Sequence, residues 1–266
     1  ILGDLHKKTR ADYLCLAGGV AFNSVANGKI TRETPFRHVY IQPAAGDAGT
    51  ALGAACSYYF ASHPKAHPFV MDHAAWGSEA SEEEIEQSLG REKLAFRKLS
   101  EEDLLTKAVQ ALTQGKIVGW FQGRMEFGPR ALGNRSILAD PRSPAMKDIL
   151  NQKIKRRENF RPFAPSVPEE DASEFFEMDC KDSPFMLKVF PVRPEKKSAL
   201  PAVTHVDGTA RVQTVSKKAH PLFWKLLKEF GKATGVPVLL NTSFNENEPI
   251  VRTPEEEISC FARNHM

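Results

Sequence analysis

The amino-acid sequence predicts an α/β fold from three observations. Short apolar runs alternate with amphipathic helical stretches along most of the chain. Glycine-containing turns follow several of these runs. The chain has 266 residues, 41% hydrophobic and 26% charged, which is the composition of a globular protein large enough for one or two domains.

The first segment alternates twice between a strand and a helix, and glycine turns lie in between. This order predicts an α/β layer. The expected elements are a strand at Tyr13–Ala17, a helix near Val20–Asn27, a strand at His38–Gln42 and an alanine-rich helix ending near Phe60.

A second α/β set follows, and its strands begin at Ile117. Its expected strands are Ile117–Phe121, Ser136–Ala139, Pro162–Val167, Phe185–Val189, Ala210–Val215 and Val236–Leu240. Its expected helices are one that begins after Ser100 and ends at Gly115, followed by Ala145–Gln152, Glu169–Phe176 and Pro221–Phe230.

The stretch Ser62–Trp76, rich in proline and histidine, predicts a connection between the two sets. Ser81 and Glu84 then fit a capping box at the start of a helix. We therefore predict a first domain at 1–68, a linker at 69–99 and a second domain with its own core at 100–266. Both ends of the sequence look abrupt, and we expect the chain to be the carboxy-terminal part of a longer protein.

The composition narrows the class of protein. No apolar run approaches the roughly 18 residues of a membrane span. The four cysteines are scattered without a C-x-x-C pair, which favours reduced thiols in a cytoplasmic protein over zinc ligands or disulfides. The net charge is only +3, yet the stretch from Lys116 to Arg161 holds seven Arg and four Lys against two Asp and two Glu. A local basic cluster of this kind favours a small anionic ligand over a long nucleic acid.

The densest motif is the stretch 122–136, QGRMEFGPRALGNRS, which lies between two expected strands. Glycine lets the backbone approach a ligand closely, and arginine offers a fork of donors that matches phosphate and carboxylate. An arginine-rich turn held by structural ion pairs is the alternative. The candidate ligand-binding residues are Arg124, Arg130, Asn134, Arg135 and Ser136.

Three further stretches carry candidates. Lys155 and Arg161 lie in a basic run before an expected strand, where a solvated charge run is the alternative. In the stretch 204–215, His205, Asp207 and Arg211 flank a turn, and a hairpin with a structural histidine is the alternative. Polar residues also follow the strand that ends at Leu240, where ligands of α/β folds bind, although a capped turn is the alternative. They are Asn241, Ser243 and Asn245.

The first segment holds weaker signals. Gly18 and Gly19 follow one strand, Asn23 lies just beyond them, and Asp47 follows the other strand. Asp47 could serve only as a helix N-cap. Together these residues favour a nucleotide or metal pocket, because a carboxylate at a strand end suits a hard cation.

These strings, in this order, resemble the NodU/CmcH/TobZ carbamoyltransferase family. The matching stretches are Leu16–Asn23, Gln42–Ala55, Gly119–Arg142, Lys155–Val167, His205–Val215 and Pro237–Phe244, of which GRMEFGPRALGNRS is highly specific. The resemblance implies a YrdC-like open twisted α/β domain preceded by a partial actin/hexokinase-like, RNase H-like segment.

The resemblance also implies an O-carbamoyltransferase activity. Carbamoyl phosphate and ATP, with Mg²⁺, would form carbamoyl adenylate, and the carbamoyl group would pass to a hydroxyl acceptor beside Fe²⁺ or another divalent metal. Arg130, Lys155, Arg161 and Arg211 would then cradle the phosphates, and Asp47 would be a metal ligand. Gly18, Gly19 and Asn23 would form the adenylate-binding turn.

One departure from the family pattern concerns the metal, because the family's histidine pair lies in an amino-terminal half that this sequence lacks. Two other functions stay open: synthesis of threonylcarbamoyl adenylate for tRNA modification, and a non-catalytic RNA-binding module. Few aromatic residues lie near the basic cluster, which argues against RNA. The acceptor and the oligomeric state, a homodimer included, are not specified by the sequence.

Overall fold

The structure is a computed structural model that describes residues 1–264, and it has the α/β architecture that the sequence predicts. Three separate sheets are present in this range. The strands are β1 (Tyr13–Leu16), β2 (His38–Ile41), β3 (Val118–Phe121), β4 (Arg135–Ala139), β5 (Ala164–Pro168), β6 (Phe190–Pro191), β7 (Thr209–Ala210), β8 (Gln213–Val215) and β9 (Leu239–Ser243).

Helices connect and cover the strands, and short 3₁₀ turns lie between some of them. No helix among residues 1–264 is long and apolar enough to cross a membrane. The α-helices are α1 (Leu2–Thr9), α2 (Ser24–Asn27), α3 (Ile30–Glu33), α4 (Thr50–Ser62), α5 (Glu82–Arg91), α6 (Glu101–Thr113), α7 (Met146–Ile149), α8 (Ala172–Phe175), α9 (Pro221–Thr234) and α10 (Pro254–Asn264).

The main sheet has five strands in the order β3-β4-β9-β5-β8. Its neighbours are antiparallel except for β5 and β8, which are parallel. Strand β9 lies at the centre, between β4 and β5, although it is the last strand in the sequence. The polar residues at its end therefore lie beside the starts of β4 and β5, which the basic loops precede.

Apolar side chains alternate between the two faces of this sheet, as a sheet buried on both sides requires. Leu138 and Leu239 face α6 and α9, where Leu112 and Phe223 complete one core. Ile137, Val167 and Leu240 face the opposite side and pack with Phe175 of α8 and Leu150 in a second core. Helix α9 packs on this sheet through an apolar stripe, whose residues Phe223, Leu226, Leu227 and Phe230 are all buried.

The first segment forms its own sheet of two parallel strands, in which Tyr13 pairs with His38. It is joined to the second segment by one apolar cluster that includes Ile41 and Ala45 from the first segment and Leu132 and Ala164 from the second. The sheets are thus separate while the apolar packing is shared. The boundaries 1–68, 69–99 and 100–266 remain a prediction.

The segment between the two α/β sets is packed against them. The carbonyl of Ala74, which is 1% exposed, accepts a hydrogen bond from Phe127 N at 2.6 Å. Helix α5 begins with the predicted capping box at Ser81, and its Ser88 hydroxyl donates to Glu255 of α10 at 2.6 Å. Helix α10 itself was not predicted from the sequence.

The strand predicted at Phe185–Val189 is wrong. This stretch is buried but belongs to no sheet, and Met186 has a φ of 54°, which a regular strand excludes. Its backbone groups find other partners: Asn27 Nδ2 donates to Leu187 O at 2.9 Å, and Val189 N donates to Ser24 O at 3.1 Å. The apolar run therefore serves the junction with the first segment rather than a sheet.

The strand predicted at Ala210–Val215 is two strands in two sheets. Residues Thr209–Ala210 pair with β6, whereas Gln213–Val215 pair with β5, so Arg211 lies where the chain changes sheets. The strand predicted at Val236–Leu240 runs instead from Leu239 to Ser243. This shift places the polar residues inside the ladder, because Asn241 and Ser243 both pair with β4.

The helix predicted at Ala145–Gln152 is a single α-turn followed by a π-helical turn, Leu150–Ile154. The wider turn buries Asn151, Ile154 and Lys155 while Lys153 stays exposed. An extended basic run would place Lys153, Lys155 and Arg157 on one side, and this expectation from the sequence is wrong because the turn is helical. The helix predicted at Glu169–Phe176 is likewise a 3₁₀ turn followed by α8.

Candidate functional site

The β3–β4 loop is organised around one buried carboxylate. Glu126 Oε1 accepts backbone N–H bonds from Leu132 at 2.6 Å, Asn134 at 2.9 Å and Arg135 at 3.4 Å. The side chain is only 5% exposed, and this burial raises the pKa of Glu126. The second oxygen, Oε2, has no partner among residues 1–264. Glu126 thus fixes the part of the loop that follows Arg130.

Arg135 holds the other side of the same loop. Its guanidinium donates to the carbonyls of Gln122, Gly123 and Asn134 at 2.9–3.0 Å and lies 3.6 Å from the centroid of the Phe121 ring. Its Nη1 and Nη2 donors are thus directed at the protein, whereas its buried Nε has no partner within residues 1–264. Burial lowers the pKa of Arg135.

The remaining candidates of this loop also make internal contacts. Asn134 Nδ2 donates to Arg124 O at 2.6 Å, and Ser136 Oγ accepts from Gly133 N at 2.9 Å. Arg124 itself is exposed. These contacts shape the loop and leave two arginine side chains for a ligand, the partly buried Arg130 and the exposed Arg124.

Three side chains from different parts of the chain bury nitrogen atoms that lack a hydrogen-bond partner within residues 1–264. They are Arg130 Nε, Arg211 Nε and His205 Nε2. Buried polar groups are nearly always paired, so orphaned nitrogens at one place indicate a missing partner. Burial lowers the pKa of Arg130 and of His205, and the charge of Arg211 lowers the pKa of His205 further.

Arg130, Arg157 and Arg211 act on one another through their charges. The pKa of Arg211 is lowered to about 9, first by burial and then by the positive charges of Arg130 and Arg157. In the described part of the chain, no carboxylate lies within 4 Å of any of these three arginines. We call Arg130, Arg157 and Arg211 the arginine cluster. Repulsion among like charges is unfavourable in a partly desolvated site, so an anion would stabilise it.

Lys155 joins the basic run to the end of β9. Its Nζ donates to Ser243 O at 2.5 Å, Asn245 O at 2.7 Å and Asn245 Oδ1 at 2.7 Å, and Ser243 Oγ lies at 3.3 Å. Burial lowers the pKa of Lys155 to about 7, and the charge of Arg157 acts in the same direction. The π-helical turn delivers this side chain, because Lys155 follows its last residue.

Arg157 connects the Lys155 contact to the arginine cluster. Its Nε donates to Asn151 Oδ1 at 2.7 Å, and its guanidinium lies 4.9 Å from the centroid of the Phe163 ring. Arg161 is exposed, and its Nε pairs with Glu158 at 2.9 Å. An open cleft of about 610 Å³ lies over this surface and is lined by Arg156, Arg157, Glu158, Arg161, Glu246 and Asn247.

Two predicted ligand contacts are engaged elsewhere. Asn241 is buried in a network that crosses the sheet, where its Nδ2 donates to Ser166 Oγ at 3.0 Å and to Gln213 Oε1 at 3.1 Å. Asp207 Oδ1 accepts from the backbone and the hydroxyl of Thr209, and these bonds lower its pKa. Asp207 thus closes the turn that carries His205.

In the first segment the two glycine turns meet, since Gly18 N donates to Ala45 O at 2.7 Å. A side chain at Gly18 or Gly19 would meet no atom within 4 Å, so this edge is open. Asn23 caps α2. Asp47 is exposed and is not a helix cap. Among residues 1–264 no group of three or more His, Cys, Asp or Glu is placed to hold a metal ion, so Asp47 alone is not a complete site.

The structure thus brings together Arg130, Arg211 and His205, and it places Lys155 with Ser243 and Asn245 on the other side of Arg157. Gly18, Gly19 and Asp47 form a separate group. Sequence reasoning missed Arg157 and Glu126. Arg157 carried a signal, because it lies two residues after Lys155 in the same basic run, whereas the buried role of Glu126 depends on long-range packing.

Two family models match this chain. The carbamoyltransferase C-terminus model covers residues 109–266, and the carbamoyltransferase N-terminus model covers residues 3–56. The chain belongs to the carbamoyltransferase family. The segment that joins the two α/β sets lies between the two matches. The C-terminal match contains the arginine cluster and Lys155.

Several curated proteins are similar to most of this chain. Nodulation protein NolNO of Sinorhizobium fredii is 48% identical over 93% of the chain and 37% of its own length. Nodulation protein NolO of Bradyrhizobium diazoefficiens is 47% identical over 96% of the chain and 47% of its own length. The 3'-hydroxymethylcephem-O-carbamoyltransferase of Amycolatopsis lactamdurans is 39% identical over 88% of the chain and 42% of its own length.

The chain therefore spans about half or less of the length of these curated relatives. A solved structure of full-length HypF in the phosphate- and nucleotide-bound form is similar with a TM-score of 0.45 and 18% identity. That similarity covers 64% of this chain and 21% of HypF.

Proposed function

We propose that this carbamoyltransferase chain forms carbamoyl adenylate from carbamoyl phosphate and ATP. The observation that carries the proposal is the arginine cluster beside His205, with three buried nitrogens that lack partners. Carbamoyl phosphate and ATP both bring phosphate oxygens, which match the forked donors of arginine. A bound phosphate would pair with these donors and offset the repulsion among the arginines, which adds to the effect of burial in lowering the pKa of Arg211.

The proposed reaction requires positioning of two anions rather than a covalent nucleophile. Carbamoyl phosphate reacts with water to give carbamate and phosphate, and a carbamate oxygen then displaces pyrophosphate from the α-phosphorus of ATP. Bringing two polyanions together is opposed by their mutual repulsion, which fixed cations reduce. Arg130 and Arg211 would hold the carbamoyl phosphate, and Arg157 and the exposed Arg161 at the open cleft would hold the ATP phosphates.

Lys155 and the end of β9 have a different part in this proposal. The bonds from Lys155 to Asn245 and Ser243 fix the polar strand end beside Arg157. The lysine thus orients the polar end of β9, where the Ser243 hydroxyl would contact a phosphate oxygen in place of its bond to Asn245 Oδ1. Mg²⁺ would accompany ATP and supply charge neutralisation there.

Transfer of the carbamoyl group to a hydroxyl acceptor is the second half of the proposal. The open edge at Gly18 and Gly19 is suited to a nucleotide, since the Gly19 N–H can approach phosphate without a side chain in the way, while the Gly18 N–H is bonded to Ala45 O. Asp47 would contribute one ligand to Fe²⁺ or another divalent ion together with residues that this chain does not contain. A cytoplasmic location belongs to the same proposal, because ATP and carbamoyl phosphate would have to be supplied there.

The test is product formation by the protein with carbamoyl phosphate, ATP and Mg²⁺. We expect phosphate and pyrophosphate to appear in a one-to-one ratio, and pyrophosphate to be absent when carbamoyl phosphate is left out. Replacing carbamoyl phosphate with bicarbonate and threonine should give no pyrophosphate. Pyrophosphate release with bicarbonate and threonine instead would support threonylcarbamoyl adenylate synthesis and contradict the proposal.

A further inference from the structure

Part of the segment predicted as a linker runs along the β3–β4 loop and pairs with it. We call residues 74–78 of this segment the strap. Gly77 N donates to Met125 O at 2.8 Å, and Met125 N donates to the last carbonyl of the strap at 2.8 Å. At the other end of the strap, Phe127 N donates to Ala74 O at 2.6 Å. The strap is thus bonded to the loop at both ends, in the antiparallel direction.

Arg130 lies in the span of the loop that follows this contact. The span begins at Phe127, which the strap holds, and it ends at Leu132, whose N–H donates to Glu126 Oε1 at 2.6 Å. Ala74 and Leu132 are also buried in the same apolar cluster. Because both ends of the span are fixed, the strap and the Glu126 side chain together set the position of the backbone that carries Arg130.

The Arg130 side chain depends on this backbone for its direction. Within residues 1–264 its buried Nε has no hydrogen-bond partner, and no carboxylate lies within 4 Å of its guanidinium. Arg135 of the same loop differs, because its own bonds to backbone carbonyls hold its guanidinium in place. A movement of the span would therefore displace Arg130 from Arg211 without breaking a bond of the Arg130 side chain.

The strap approaches the loop too closely for a side chain at Gly77. A Cβ atom at this position would lie 2.8 Å from Met125 O and 3.0 Å from Met125 Cβ. Since the first of these atoms belongs to the backbone, an alanine at position 77 fits only if the strap and the loop move apart. Gly90 is the matched control, because it lies in α5 between the same two α/β sets and a Cβ there would meet no atom within 4 Å.

We propose that the strap is a positioning segment of the arginine cluster, which holds the span 127–132 so that Arg130 stays beside Arg211 and reaches carbamoyl phosphate. The strap itself contacts no ligand and acts through the backbone that carries Arg130. The inference rests on the proposed binding of carbamoyl phosphate to Arg130 and Arg211. One of its tests therefore uses no ligand, so that the strap and the proposed function can fail separately.

The first test is calorimetric titration of carbamoyl phosphate and of ATP into wild type, Gly77→Ala and Gly90→Ala. A small displacement of Arg130 should raise the dissociation constant for carbamoyl phosphate about fivefold or more in Gly77→Ala, whereas Gly90→Ala should stay within about twofold of wild type. The affinity of Gly77→Ala for ATP should also stay within about twofold, because Arg157 and Arg161 belong to another segment. Unchanged affinity for carbamoyl phosphate in Gly77→Ala, or an equal loss for both ligands, would overturn the proposal.

The second test needs no ligand and reads Arg130 directly through its reaction with phenylglyoxal, followed by mass spectrometry of peptides. Arg130 is partly buried, so release of the span should raise its reaction rate about twofold or more in Gly77→Ala. The exposed Arg161 should react at the same rate in wild type and in both variants. An Arg130 rate in Gly77→Ala equal to that of wild type would contradict the positioning role, whether or not carbamoyl phosphate binds.

A third measurement covers the case in which Gly77→Ala does not fold. If the strap favours binding of carbamoyl phosphate, the bound ligand must favour the strap by the same free energy. Saturating carbamoyl phosphate should therefore slow hydrogen exchange of the Gly77 and Met125 amides in the wild-type protein and leave exchange in α5 unchanged. Exchange of these two amides at the same rate with and without bound carbamoyl phosphate would overturn the proposal.

Discussion

Lys155 Nζ donates to Asn245 Oδ1 at 2.7 Å across 90 positions of sequence. This bond ties the π-helical turn Leu150–Ile154 to the end of the central strand β9. The basic run and the polar strand end are therefore one structural unit, and Arg157 leads from it to the arginine cluster. Each part of this arrangement can be tested separately.

Removing the Lys155 contact should destabilise the protein. Lys155→Met leaves the Asn245 carbonyl without its donor, whereas Ser243 O keeps the bond from Asn245 N and Asn245 Oδ1 keeps the bond from Ser243 Oγ. We expect this change to lower the free energy of unfolding by about 1–3 kcal/mol. Lys153→Met is the control, because Lys153 lies in the same turn but is exposed. Urea unfolding measures both. Equal stability of the two variants would contradict the structural role given to Lys155.

The Glu126 side chain should stabilise the protein through the hydrogen-bond acceptor that it provides and not through its charge. Glu126→Gln keeps an oxygen for the N–H groups of Leu132, Asn134 and Arg135, so its stability should lie within about 1 kcal/mol of wild type. Glu126→Ala orphans all three groups and should lose about 3 kcal/mol. A loss in the Gln variant as large as that in the Ala variant would show that the charge is required.

The contact between the two segments can be tested at Gly128, which has a φ of 138°. A Cβ atom at this position would lie 2.6 Å from Pro43 O, so Gly128→Ala should destabilise the protein by about 2 kcal/mol or more. Gly53→Ala, in α4 with no atom within 4 Å of the added carbon, should be neutral or stabilising. If both variants unfold at the same urea concentration as wild type, the two segments do not pack as described.

A buried histidine predicts how stability changes with pH. Burial, and then the nearby His73, lower the pKa of His220 to about 4, whereas an unfolded histidine titrates near 6.5. Between about pH 4 and pH 6.5 the unfolded state binds more protons than the folded state. The contribution of neutral, buried His220 to the free energy of unfolding is therefore fully present above about pH 6.5 and is lost as the pH falls towards 4. The shift corresponds to about 3 kcal/mol.

The measurement is urea unfolding of wild type and His220→Gln at pH 7 and at pH 4. Because glutamine does not titrate, the difference in free energy of unfolding between the two proteins should shrink by about 3 kcal/mol at the lower pH. A difference that is independent of pH would show that His220 is not buried in its neutral form.

Local patterns in the sequence were enough for part of this structure. The apolar stripe of α9 and the caps at Ser81 and Ser100 depend only on neighbouring residues, and all three are observed. The stretch Phe185–Val189 has the composition of a strand, but its partners are Ser24 and Asn27, which lie more than 150 positions away. No local pattern encodes such a partner.

The same distinction applies to the site. The glycines and arginines of the β3–β4 loop mark a ligand site, yet nothing local tells Arg130 from Arg135. Only tertiary packing directs Arg135 at backbone carbonyls and leaves Arg130 beside Arg211. Likewise, the sequence shows two lysines near Arg157, and the π-helical turn decides that Lys155 is the buried one.

The central claim is that the arginine cluster binds carbamoyl phosphate, and calorimetric titration of this compound into the protein tests it most directly. Charge-assisted contacts are worth about 1.5–3 kcal/mol each, so Arg130→Ala and Arg211→Ala should each weaken binding by roughly ten- to a hundredfold. Arg97→Ala, at an exposed position outside the site, should leave the affinity unchanged. Affinity that stays at the wild-type value in both Arg130→Ala and Arg211→Ala would contradict the site and the function proposed for it.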